Sequence, residues 1–308
     1  MDNLTHSLVG AVLGQAGLKR LSGLGLPTLI IAANIPDIDA GCTVYGIESL
    51  AMRRGLTHGP IAMLVLPVLL TGAMVAWDRW QAKRGSRPVD RPEVKPLALL
   101  LLALIGTLSH PAFDWLNNYG IRLLEPFSHQ WFYGDSIFII DLWMWIGLGS
   151  AVWLSRKREK AKQSSWRRPA RAAIAGVGAY LAFNIGLTWH VEAKASKELA
   201  DAGVTKTLVV ASPPPVMFWK RDVFWRDARV MGGGHYDLFS GLTMDPKRTK
   251  LGMDGPRIAK AAAERADVAA FLFWSRMPFL VKEDGVLRIS DQRFDNPVTR
   301  DRFTVAID

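Results

Sequence analysis

Four stretches of this chain run for about twenty residues almost without charge, long enough for a helix to cross the roughly 30 Å hydrocarbon core of a bilayer. Residues 59–77 contain no Asp, Glu, Lys or Arg. Residues 96–115 carry one His and one Asp, both near the far end. Residues 136–154 hold a single Asp, and residues 172–191 hold no charge beyond a His near their end. Two shorter apolar stretches, 3–18 and 21–36, come first and read as two further crossings, tilted or partly inserted. After Val191 charges recur every few residues. The pattern predicts an α-helical membrane bundle of about six segments over residues 1–191. A small α+β extramembrane domain is expected over residues 192–308.

Orientation follows from the basic loops. Residues 78–95 carry six Lys/Arg and residues 155–171 carry eight, whereas residues 117–136 carry only Arg122. Lys and Arg are retained on the cytoplasmic side, so the two basic loops belong inside and the Arg122 loop outside. Six crossings from an outside N-terminus then make a multi-pass protein of a bacterial inner membrane, with its C-terminal domain periplasmic. Arg53 and Arg54 stand against the trend, on the outer side. The net charge of +10 is therefore mostly loop asymmetry. Residues after 191 carry 19 basic against 16 acidic side chains, which is no phosphate-binding stripe, and nucleic acid is excluded as a partner.

Ionisable groups inside membrane segments are costly and usually mark a site. His6, Asp37, Asp39, His58, His110, Asp114, Asp135 and Asp141 are the candidates, and in this topology each falls at the outer end of its segment. His110 and Asp114 are four apart, on one helix face. Asp37 and Asp39 follow a proline in an extended or turning geometry, where one can ligate and the other bridge or orient. A single cysteine, Cys42, leaves His and carboxylates as the only ligand set, which suits Zn²⁺, Mn²⁺ or Fe²⁺. Each residue also has a plainer role: His6 as an interfacial histidine, Asp37, Asp39, His58 or Asp135 as caps, Asp114 at headgroup level. Asp141, well inside an apolar run, is the hardest to read that way. His129, His190 and His235 read respectively as a surface, an interfacial and a turn residue, and the Gly-Gly-Gly before His235 lacks the helix start of a phosphate loop.

The order LTHSLVG, PDID, RRGLTHG and LSHPAFDWLNNYG resembles the YdjM-type membrane-bound metal-dependent hydrolases over roughly residues 1–150. The resemblance implies an inner-membrane protein with a His/Asp metal centre. A more distant similarity, to zinc-dependent phospholipase C and the related nucleases, implies His6, Asp37, His58, His110 and Asp114 as ligands, with Asp39 a ligand or a partner of one. The second His-x-x-x-Glu/His pair of a three-zinc cluster is missing, which leaves one or two ions.

The expected chemistry is hydrolysis by a divalent metal, zinc in first place, which lowers the pKa of a bound water to about 7. Asp39 or Asp135 would act as general base, and Arg53 and Arg54 would pair with a phosphate or anchor at the headgroups. The placement points to the membrane lipid bilayer as partner and to a lipid or envelope phosphoester as substrate. The competing classes are a metal transporter or sensor, and a scaffold for the outer domain. In that domain the pattern predicts a helix over 192–202, strands over 205–211, 216–227 and 229–239, and one helix over 257–277. Further strands follow over 281–289 and 302–307, around turns at Asp284-Gly285 and Asn296-Pro297.

Overall fold

The computed structural model describes residues 1–204, 208–296 and 299–307. In chain order the helices are α1 (Asn3–Gln15), α2 (Gly25–Ala32), α3 (Ser49–Met52), α4 (Pro60–Lys83), α5 (Pro96–Trp115), α6 (Leu142–Lys160), α7 (Arg168–Asp201), α8 (Pro256–Glu264) and α9 (Ala266–Trp274). The strands are β1 (Leu208–Ser212), β2 (Lys220–Arg226), β3 (Val230–Asp237), β4 (Gly241–Lys250), β5 (Pro278–Glu283), β6 (Val286–Asp291) and β7 (Thr304–Ala306). The chain divides into two compact units, Met1–Ile38 with Arg54–Asn184, and Asp39–Arg53 with Ile185–Asp308.

The first unit is helical. Among the described residues three helices, α4, α5 and α7, are long and apolar enough to cross a membrane, rather than the six segments expected. Length explains the difference. At 13 and 8 residues, α1 and α2 reach only about 20 and 12 Å at 1.5 Å per residue. The expected crossing at 136–154 begins as a helix only at Leu142, and its last five residues, Arg156–Lys160, are all charged. Large aliphatic side chains of α4 such as Leu64, Val68 and Leu69 are left uncovered, which suits lipid and not water.

The core of this unit is Leu29 and Ala32 of α2, Leu70 and Met74 of α4, and Leu99, Leu102 and Ala103 of α5. Gly106 lets α5 lie almost against the backbone of α2, since a Cβ there would come within 2.6 Å of Ala32 Cβ and 3.0 Å of Leu29 O. That approach sets the carbonyl end of α2 beside His110, one turn further along α5. Asp2 caps α1, accepting from the backbone N–H groups of Leu4 and Thr5, and the Trp145 indole of α6 donates to Thr5 Oγ1 at 3.0 Å.

The second unit is α+β. β1 to β4 form an antiparallel sheet in sequence order, and β5, β6 and β7 form a second one. Leu187, Val191 and Ala195 of α7 pack against Ala211, Val223 and Tyr236. The helix expected over 192–202 is the end of α7, which runs unbroken from Arg168. Two antiparallel strands, β2 and β3, cover the predicted pair. β4 lies outside the predicted strands; as an edge strand it tolerates Pro246. The predicted helix over 257–277 is two helices, broken at Arg265, whose φ −125° and ψ 120° are extended. The Asp284-Gly285 turn joins β5 to β6 with φ of 49° and 84°, as a two-residue hairpin turn requires. Within the strand expected over 205–211, residues 205–207 lie outside the described residues, as does Pro297 of the expected turn.

The triple glycine lies in β3 and makes no phosphate loop. Gly232 leaves room for the Trp225 indole, which a Cβ would meet at 2.5 Å, and the β3–β4 register shifts between Gly232 and Gly234. His235 is likewise in a strand, paired in register with Asp222 and Thr243, and not in a turn. The buried Asp291 binds Arg293 at 2.9 Å and accepts from Ser275 Oγ at 2.6 Å. Burial would raise this carboxyl, but the Arg293 charge outweighs it and holds Asp291 below the usual carboxylate range.

Candidate metal centre

Four donors from three separate parts of the first unit converge. Asp37 lies in the 3-10 turns that follow α2. His58 precedes the proline that starts α4. His110 and Asp114 stand one turn apart near the end of α5. One ligand atom from each lies within 4.8 Å of every other, and all four residues are buried. His58 Nε2 and His110 Nε2 are 3.1 Å apart. Each is 3.5 Å from Asp114 Oδ2, and they stand 3.9 and 3.7 Å from Asp37 Oδ1.

These spacings fit one small ion. Ligand atoms about 2.0–2.1 Å from a tetrahedral zinc lie roughly 3.3 Å from each other. The proton positions fit as well. His110 Nδ1 is 2.7 Å from the Ala33 carbonyl, an acceptor only, so Nδ1 carries the proton and Nε2 presents a lone pair inward. His58 Nδ1 is 2.9 Å from the Thr57 hydroxyl, which serves either tautomer. With the His58 proton on Nε2 the two rings hydrogen-bond each other. With it on Nδ1, donated to Thr57, both lone pairs face one point, an arrangement that a cation between them satisfies. This is the orienting contact that metal-bound histidines usually make. Thr57→Val removes the acceptor and is expected to weaken metal binding about 10- to 100-fold. Zinc titration of the purified variant against a competing chelator measures it.

Asp114 is held from behind. Arg54 makes a two-pronged contact, Nε to Oδ2 at 3.0 Å and one terminal nitrogen to Oδ1 at 3.2 Å, with its other terminal nitrogen 3.0 Å from Asn117 Oδ1. The guanidinium also lies 4.8 Å from the Tyr119 ring centroid. His6 Nε2 is 3.2 Å from Asp114 Oδ1, its ring stacked on His110 with centroids 3.8 Å apart. The Met1 amine contacts the same oxygen. Asp114 thus turns Oδ2 toward the two imidazoles and one guanidinium prong, and Oδ1 toward His6, the Met1 amine and the other prong.

The other residues singled out from the sequence are not among these four donors. Asp141 caps α6, accepting from Met144 N–H at 2.9 Å and from the Tyr180 hydroxyl at 2.7 Å. Asp135 is buried at a left-handed position, φ 47°, in the connection from α5 to α6. Asp39 and Arg53 belong to the second unit. His129 Nδ1 lies 2.9 Å from Glu125, which also binds the buried Arg122 at 3.1 Å. Arg54, expected to pair with a phosphate or anchor at the headgroups, contacts Asp114. Its misplacement against the charge asymmetry of the loops was the available signal that it had a buried partner. Thr57 and the Ala33 carbonyl carried no such signal, because an orienting contact depends on packing.

No curated protein and no solved structure matches the chain. The family model described as YdjM inner membrane protein matches residues 1–191, a span that contains all four donors, His6 and Arg54. This chain therefore belongs to the YdjM inner membrane protein family.

Proposed function

We propose that the chain is a membrane-embedded metal-dependent hydrolase. On this reading it holds one zinc ion and acts on a phosphoester or lipid-like substrate at the outer face of the inner membrane. The observation that carries the reading is the pair of imidazole nitrogens 3.1 Å apart, each with a route to an inward lone pair, between two buried carboxylates. His58, His110 and Asp114 form the tight set that would hold the ion, and Asp37 stands slightly off as the fourth donor. When bound, zinc supplies a Lewis acid and an acidified water. Arg54 holds Asp114 fixed through both oxygens, and His6 orients its second oxygen. Since His6 is directed at Asp114, the geometry favours one ion over two. Asp135, in the same unit, remains a carboxylate outside the four to which a proton would pass.

Position supports hydrolysis over transport. His110 and Asp114 fall in the last two turns of α5 and His58 lies just ahead of α4, so the donors are at one end of these helices. Transporters hold their cargo near the bilayer midplane. The opposite ends of α4 and α5 meet at the basic loop 78–95, which supports a periplasmic side for the donors. On this reading the C-terminal unit is periplasmic as well, with α6 crossing in addition to α4, α5 and α7 so that the count of crossings is even.

Purified protein in nanodiscs, assayed with a chromogenic phosphodiester and with phospholipid, is expected to lose turnover to a chelator and regain it with Zn²⁺. Turnover that survives both chelation and His110→Ala would contradict the reading. Zinc flux into protein-loaded liposomes would replace it with transport.

A further inference from the structure

Within the second unit, β2 climbs the outgoing part of α7 in step. Arg221 Nε donates to Thr188 Oγ1 at 2.9 Å, Val223 packs with Val191 and Ala195, and Trp225 packs with Leu199. One end of the sheet is therefore at the level of Thr188. The 213–219 loop leads into β2 at that end, and the 238–240 turn leaves β3 there, tied to the loop by Leu238 N–H donating to Trp219 O at 3.1 Å. Thr188 lies within the uncharged run 172–191, three residues or about 4.5 Å below its end. These two connections are unusually apolar for loops. Val216 and Leu238 are 46% and 43% exposed, and Phe239 is 85% exposed. On α7 itself Trp189 is 66% exposed, and Lys194 and Lys220 stand just beyond.

We infer that this rim, Val216, Met217, Trp219, Leu238 and Phe239, is inserted into the interfacial layer of the bilayer where α7 leaves it. The occupant is lipid, because the rim is continuous with the exposed Trp189 of a membrane-crossing helix. Aromatic side chains followed by lysines along the axis are the arrangement that settles at a membrane–water boundary. The C-terminal unit then has an anchor of its own, in addition to the covalent link. The inference rests on α7 crossing the membrane, as the proposed function does.

The test uses the full chain in liposomes with Cys42→Ser, carrying single cysteines labelled with an environment-sensitive fluorophore. Positions are Phe239→Cys, Val216→Cys as an independent second site, Ala228→Cys at the opposite end of the sheet, and Leu64→Cys on α4. The expected result is that labels at 239 and 216 are quenched by lipids with spin-labelled acyl chains and lose quenching by aqueous iodide, whereas 228 shows the reverse. Iodide quenching at 239 and 216 equal to that at 228 would overturn the inference, provided 64 is lipid-quenched. Protection from iodide without lipid quenching would also overturn it, by assigning the rim to a second copy or another protein. Should 64 itself escape lipid quenching, the membrane placement of the whole chain fails, and this inference with it.

Discussion

The His110→Ala chain is expected to purify with almost no zinc, where the wild-type chain carries about one equivalent. His110 lies close to every other donor, 3.1 Å from His58, 3.5 Å from Asp114 and 3.7 Å from Asp37, where His58 stands 3.9 Å from Asp37. Its removal leaves one imidazole and two carboxylates, a harder and more anionic set, and opens a space that water fills. A dedicated site for a borderline-soft ion is thereby lost. The fold has less at stake, since the Ala33 carbonyl that His110 occupied can take a water from the same space. Elemental analysis of dialysed protein beside wild type, with helicity checked by circular dichroism, reads both effects. Equal zinc in the two proteins would remove His110 from the centre.

The second large effect is on stability. Arg54→Met is expected to cost about 3–5 kcal/mol, because it strands a carboxylate that is fully buried. Arg54 binds both oxygens of Asp114 and also Asn117, and the Met side chain replaces its volume without its charge. Arg54→Lys should recover only part, since an ammonium cannot make the two-pronged contact. The paired change Arg54→Met with Asp114→Asn should be milder than Arg54→Met alone, as the carboxylate that Arg54 neutralises is then gone as well. Denaturant or thermal unfolding in detergent measures all three. A single Arg54→Met variant as stable as wild type would mean that the contact with Asp114 is not held in the folded protein.

Much of the site could be read from the sequence, because the cost of a polar group in lipid makes each His and Asp in an apolar run conspicuous. Asp37, His58, His110 and Asp114 were all visible in this way. Composition does not distinguish a ligand from its neighbours. His6 is as apolar in context as His58, and only the packing of α1 turns its Nε2 to Asp114. Asp141 stands deeper in an apolar run than any of the four and yet caps a helix. The crossings were miscounted for a related reason. Hydropathy reports where lipid is tolerated, whereas Gly17 at φ 132° lies where α1 stops, left-handed Leu24 at φ 63° lies where α2 begins, and Asp141 caps the start of α6. In the second unit the strands with alternating burial were legible, but β4, mostly exposed and interrupted by Pro246, has no alternation to read.

The account stands on one ion shared by His58, His110 and Asp114. Crystals of the full chain grown with Zn²⁺, measured at the zinc absorption edge, locate that ion directly. The expected result is one anomalous peak about 2.0–2.2 Å from both Nε2 atoms and from Asp114 Oδ2. The opposite result is an edge-specific map with no density between those atoms, or with its zinc bound elsewhere on the chain.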